Sequence, residues 1–232
     1  MSKTIDYLLE NSGLPGPRGN LELLYSFSKS ATAEEVEECL SLYDDDLHNS
    51  PEEFVVMCGI VGSCVLQRSD VARALSSVRA FAVHESWRIR EAVAIGIQEI
   101  AERDTHAIID ILEKWVEGNA LERRAVVAEL CEPKLLKDPS VTARVLRILG
   151  AITMEFGPAD RLTDGQVALR KALGYGWSVA VAASPEVGKA AFEAISGNPG
   201  KHIRWIVREN LKKNRLARMD AQWVERMRAK TA

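Results

Sequence analysis

Glycine and proline are scarce in this 232-residue chain, at 15 and 8 residues, and aromatic side chains make up only 6% of it. So few chain breakers exclude collagen-like repeats and Pro/Gly-rich disorder. No apolar run approaches the ~20 residues that span a bilayer. Residues 1–16 hold Lys3 and Asp6 without a continuous apolar stretch, unlike a secretory signal. A cytoplasmic location is therefore expected. Cysteine is sparse too: Cys39, Cys58, Cys64 and Cys131 are irregularly spaced in apolar surroundings, with no Cys-x-x-Cys pair, and read as buried reduced thiols. The four histidines are isolated from one another. His84-Glu85 begins like a zinc-protease motif, but Arg88 stands where the second histidine belongs. No metal and no cofactor are expected.

Phosphate-loop, calcium and nucleophile patterns are also missing. Gly16-Pro17-Arg18-Gly19 lacks the Lys-Ser/Thr of a phosphate loop, and Gly174-Tyr175-Gly176-Trp177 follows no strand. Asp44-Asp45-Asp46 lacks the glycine and distal glutamate of an EF-hand and reads as a solvated turn after a helix. No serine carries a nucleophile-elbow pattern.

What is present is charge and helical periodicity. The net charge of −3 conceals a gradient: residues 1–60 carry 3 basic and 12 acidic groups, and residues 198–232 carry 10 and 3. A basic C-terminal segment is suited to phosphate or to an acidic partner. Apolar spacing of 3.6 residues recurs throughout, predicting an all-α chain with helices near 3–11, 19–30, 33–43, 51–67, 70–82, 86–102, 105–117, 120–131, 140–156, 163–182, 186–195, 199–214 and 217–229. Breaks such as Ser50-Pro51, Asp138-Pro139, Gly157-Pro158 and Ser184-Pro185 separate them.

The helices also echo one another. Ile89-Arg90-Glu91-Ala92-Val93 has partial counterparts in Glu122-Arg123-Arg124-Ala125-Val126, Leu169-Arg170-Lys171-Ala172-Leu173 and Ile203-Arg204-Trp205-Ile206-Val207. The aligned arginines, Arg90, Arg123, Arg170 and Arg204, are 33, 47 and 34 residues apart, spacings that fit helical pairs stacked into a solenoid. In 86–102, Ile89, Val93, Ile97 and Ile100 form the inner stripe, Ala92 and Gly96 admit a close neighbour, and Arg88, Glu91 and Glu99 are expected in water.

Trp87-Arg88-Ile89-Arg90-Glu91-Ala92-Val93-Ala94-Ile95-Gly96 resembles the second helix of a HEAT repeat. The resemblance covers about residues 50–215 and implies a right-handed α-α superhelix of the HEAT/armadillo type. On this reading 1–232 is a single domain, with 1–48 as capping helices and 49–232 as stacked repeats. Within that class, Ile203-Arg204-Trp205-Ile206-Val207-Arg208-Glu209 and Ser86-Trp87 resemble stretches of the HEAT-like DNA alkylation-repair glycosylases. In that family two aromatics and an aspartate on the concave surface flank the damaged base. Trp205 matches one aromatic, whereas the second aromatic falls on Arg88 and the aspartate on Ala92. Excision needs a carboxylate beside the developing positive charge, so the resemblance stops short of the catalytic set.

Candidate binding residues follow. Along 199–214, Lys201, Arg204, Arg208, Lys212 and Arg215 share one arc opposite Ile203, Ile206, Val207 and Leu211, with Trp205 at its margin. Two readings stand: a phosphate-tracking row with a stacking aromatic, or a solvated helix whose tryptophan packs on the next one. For Arg90, Arg123 and Arg170 the alternatives are an internal ladder between repeats or ligand contact. Trp87 is placed to staple the start of its helix. Trp115, Trp177 and Trp223 read as packing residues, and Trp177, seven residues past Arg170, also as a groove candidate beside Trp87 and Arg88. The expected function is non-catalytic binding in a concave groove, with nucleic-acid backbone such as DNA as the preferred partner. The alternatives are a protein-protein interaction scaffold and a DNA alkylation-repair glycosylase-like enzyme.

Overall fold

A computed structural model describes residues 2–101, 104–157 and 161–231. Every described element is helical: α1 Lys3–Glu10, α2 Leu21–Ser30, α3 Ala33–Leu40, α4 Pro51–Leu66, α5 Val71–Val78, α6 Trp87–Ala101, α7 Thr105–Trp115, α8 Ala120–Leu130, α9 Pro139–Met154, α10 Asp164–Ala183, α11 Pro185–Ser196, α12 Lys201–Leu211 and α13 Asn214–Lys230. Short 3-10 turns add Arg79–Val83 and Leu135–Lys137. Residue 102 and Pro158, within an expected helix and an expected break, lie outside the described residues. Among the described residues no helix is long and apolar enough to cross a membrane.

The helices begin where the sequence supplies a side-chain oxygen for free N–H groups. Ser50 accepts from Glu53 N–H ahead of Pro51, and Asp138 accepts from Ser140 N–H around Pro139. Thr32 with Glu35, Asn119 with Glu122 and Thr163 with Gln166 form reciprocal capping boxes. All four cysteines are buried thiols, and burial pushes Cys39 and Cys131 up to about 12, so they stay protonated at neutral pH.

The chain divides into two compact units, Met1–Ile111 and Leu112–Ala232. The first is organised around α4, which is buried continuously from Glu53 to Val65. A helix apolar all round must be wrapped on every side, and α1, α2, α3, α5 and α6 all pack on it. On α6 the expected stripe of Ile89, Val93, Ile97 and Ile100 is buried. Gly96 lets α6 lie close to α4: a Cβ there would stand 2.8 Å from Cys64 Sγ and 3.5 Å from Val61 Cα.

Arg88 departs from expectation. It is buried, 6% exposed, because Glu53 on α4 is fully buried and its carboxylate requires a counter-charge. Arg88 Nη1 lies 3.5 Å from Glu53 Oε2, and its Nη2 donates to the Gly16 carbonyl at 2.7 Å. The Asn49 N–H donates to the same carboxylate at 2.9 Å, and the Ser86 hydroxyl donates to its other oxygen. One buried charge pair thus joins the loops at Gly16, Asn49 and Ser86 to the starts of α4 and α6.

In the second unit α10 packs on α8, α9, α11, α12 and α13. It is buried continuously over Gly176–Val181, while Lys171 and Tyr175 before that stretch are exposed. Trp177 is fully buried, donating its indole N–H to the Thr153 hydroxyl at 3.0 Å. It therefore belongs to the core and lines no groove. Trp115 and Trp223 are buried as expected.

Removing one member of a buried pair strands the other's charge. Glu53→Ala is expected to lower stability in denaturant melts by about 3–5 kcal/mol. The double replacement Glu53→Leu/Arg88→Met is expected to recover much of that loss.

Candidate functional site

The basic segment does not form one long helix. The helix expected over 199–214 ends at Leu211, where a turn closes with the Lys213 N–H bonded to the Asn210 carbonyl at 2.9 Å. Lys212 is thus the C-terminal cap of α12, and Arg215 belongs to α13. On α12 itself the expected division of faces is present. His202, Ile203, Ile206, Val207, Asn210 and Leu211 are buried, whereas Lys201, Arg204 and Arg208 are exposed.

Two polar and steric features hold α12 against α10. Asn210 is fully buried; its side-chain oxygen accepts from Ser178 N–H at 2.8 Å, and its amide donates to the Leu173 carbonyl at 2.9 Å. Those α10 backbone groups flank Gly174, Tyr175, Gly176 and Trp177. Gly174 lets the helices close, since a Cβ there would stand 2.9 Å from Trp205 Cζ3 and 3.3 Å from Glu209 Cβ. Trp205 therefore lies half-buried against α10, and the adjacent Tyr175 stands out, 48% exposed.

Each of these rings carries a guanidinium. Arg170 Cζ lies 4.5 Å from the Trp205 ring centroid, and Arg170 Nη1 is 3.0 Å from His202 Nδ1. Arginine has only donors, so that imidazole nitrogen accepts. Arg215 Cζ lies 4.6 Å from the Tyr175 centroid, and Arg215 also donates to the Tyr175 hydroxyl. Lys213 Nζ adds a second cation 5.7 Å from the same ring.

The remaining predicted residues are dispersed. Arg208 donates through Nε and Nη2 to the Thr231 carbonyl, at 3.0 and 2.9 Å, tying down the end of α13. Lys212 pairs with Glu209, while Arg204 is exposed and meets no hydrogen-bond partner or counter-charge among the described residues. Arg123 donates to the Val116 carbonyl at 2.8 Å and pairs with Glu155 on the following helix cap. Arg90 turns back on its own loop, donating to the His84 and Glu85 carbonyls.

Trp87 is 49% exposed at the start of α6, with the Arg88 guanidinium 4.7 Å from its centroid. It borders a cleft of 360 Å³ in the first unit, together with Arg18, Leu21, Tyr25, Glu91 and Gln98. Ala92, where the resemblance would require an aspartate, is fully buried.

Tyr175, Lys213 and Asn210 escaped the sequence reading. For Tyr175 a signal was present: Lys171 and Tyr175 are four apart, and both lie on the exposed side of α10. Compared with protein families, curated proteins and solved structures, the chain finds no match. Its site must be interpreted from its own residues.

If Asn210 holds α12 in place, Asn210→Leu should remove its bonds to the Ser178 N–H and the Leu173 carbonyl of α10. A loss of about 1–3 kcal/mol for each group left unpaired is expected in denaturant melts. Trp205 fluorescence should shift towards that of a solvated indole.

Proposed function

We propose that the chain is a non-catalytic binding module of stacked helical pairs, a HEAT-like right-handed solenoid, which grips a nucleic-acid backbone on the surface built by α10, α12 and α13. Support for the stacked pairs comes from the second unit, where α10 touches both α8 and α12, and α9 and α11 touch each other and α10. The arginines of the repeated segment, Arg123, Arg170 and Arg204, lie on these three neighbouring helices.

The observation that carries the nucleic-acid reading is the convergence of cations around two rings, the exposed Tyr175 and the half-buried Trp205. Lys201, Arg204 and Lys212 are exposed along α12 and its cap, and Lys213, Arg215 and Arg170 surround Tyr175 and Trp205. Cations track phosphates with little regard to sequence, while rings offer faces to bases. Base excision draws no support from the site, because position 92 contributes a buried methyl group where a carboxylate is needed. A protein-scaffold reading is favoured by the cleft at Trp87, whose exposed tryptophan, Leu21 and Tyr25 offer an aromatic and apolar anchor site.

Binding of duplex DNA measured over a series of salt concentrations tests the proposal. Lys201→Gln/Arg204→Gln is expected to weaken binding across unrelated sequences and to reduce the log–log salt slope by roughly 0.9 for each phosphate no longer neutralised. Both substitutions lie on the exposed side of α12, so circular dichroism should be unchanged. A folded double variant with wild-type affinity and slope would favour the scaffold reading.

A further inference from the structure

The two rings of the second unit share a construction that duplex binding does not require. Backbone tracking needs only cations, and Lys201, Arg204 and Lys212 already provide them. Yet Trp205 and Tyr175 are brought to neighbouring positions through Gly174, and each is covered by an arginine, Arg170 and Arg215, at 4.5 and 4.6 Å. The arginines approach from different elements, α10 and α13, so the covering does not follow from one helical repeat.

From this we infer that the surface selects single-stranded nucleic acid, with Tyr175, and Trp205 beside it, acting as stacking platforms for unpaired bases. This rests on the reading of the unit as a nucleic-acid binder and names the form of nucleic acid it takes. A guanidinium over a ring occupies the place of a base: it is planar, stacks at similar separation and keeps the aromatic face from water. When a base arrives, the guanidinium is displaced from the ring and remains beside it to pair with the adjoining phosphate, which it can meet with two parallel N–H donors.

The covering groups are held by few bonds. Arg170 Nε has no hydrogen-bond partner among the described residues, and the bond to His202 and the stack on Trp205 fix its guanidinium. Arg215 is held by the Tyr175 ring and hydroxyl. Bases paired in a duplex present their edges and bury their faces in the stack, so only an unpaired strand can use the rings. Lys171 lies one helical turn before Tyr175 on the exposed side of α10, and Lys213 Nζ lies 5.7 Å from the Tyr175 ring.

The test compares three labelled probes with the full chain by fluorescence anisotropy: an oligo-dT strand, an abasic strand of equal length, and a mixed-sequence duplex. The abasic strand has the same phosphates and no rings to stack. Oligo-dT is expected to bind at least ten-fold more tightly than the abasic strand. Tyr175→Ala should weaken oligo-dT binding roughly 5- to 150-fold, and by a much smaller factor for the other two probes. Tyr175→Phe keeps the ring and loses the hydroxyl bond to Arg215; it should retain most of the oligo-dT affinity. Equal binding of oligo-dT and the abasic strand would overturn the inference and leave backbone binding standing. So would equal losses for all three probes in a folded Tyr175→Ala variant. Absence of binding to every probe would remove the underlying reading and this inference with it.

Discussion

Asn210 joins α12 to the backbone of α10, and the candidate surface depends on that junction. Its side-chain oxygen accepts from Ser178 N–H and its amide donates to the Leu173 carbonyl in a fully buried position. An asparagine committed to three backbone groups, the Ser178 N–H and the Leu173 and Ile206 carbonyls, has one orientation, because oxygen and nitrogen are not interchangeable there. The helix that carries it is thereby fixed in rotation as well as distance. Trp205 then falls on Gly174, where the absent Cβ leaves the space its ring occupies. Tyr175, the next residue, is turned outwards, within reach of Arg215 and Lys213 on the far side of the α12–α13 turn.

The first unit is fixed by a different constraint, the burial of Glu53 and Arg88. A charge pair in the interior gains little over apolar residues of similar size, and its loss of one member is costly. Such a pair is therefore better understood as a determinant of arrangement than as a source of stability. Its bonds reach the Gly16, Asn49 and Ser86 loops, which carry no repeating apolar stripe. The exposed Trp87 is a consequence: its neighbour Arg88 is drawn inwards to Glu53, leaving the indole beside the cleft with a guanidinium against its face.

Local features were readable in the sequence, and long-range ones were not. The stripe on α6 and the Ser50-Pro51 and Asp138-Pro139 starts were visible because the helical period and the capping oxygen are contained within a few residues. Arg88 was expected in water because a helical wheel cannot register a carboxylate 35 positions away at Glu53. Trp177 kept an open groove assignment, since nothing nearby announces its bond to Thr153. The basic row was overextended by one turn because Lys212-Lys213-Asn214 contains neither glycine nor proline; the break shows only in backbone hydrogen bonding. Tyr175 stands in a glycine-flanked segment whose local pattern speaks only to a nucleotide loop. Its meaning comes from Arg215, forty residues later.

If nucleic acid engages the face of α10 and α12, the five tryptophans report on it separately. Three, Trp115, Trp177 and Trp223, are buried, Trp205 lies on that face, and Trp87 borders the cleft of the first unit. In a nitrogen-15 indole spectrum of the full chain, titration with oligo-dT is predicted to move the Trp205 signal while those of Trp87 and the three buried residues stay in place. Movement of Trp87 with Trp205 unaffected, or a spectrum that does not change under saturating strand, would contradict the account.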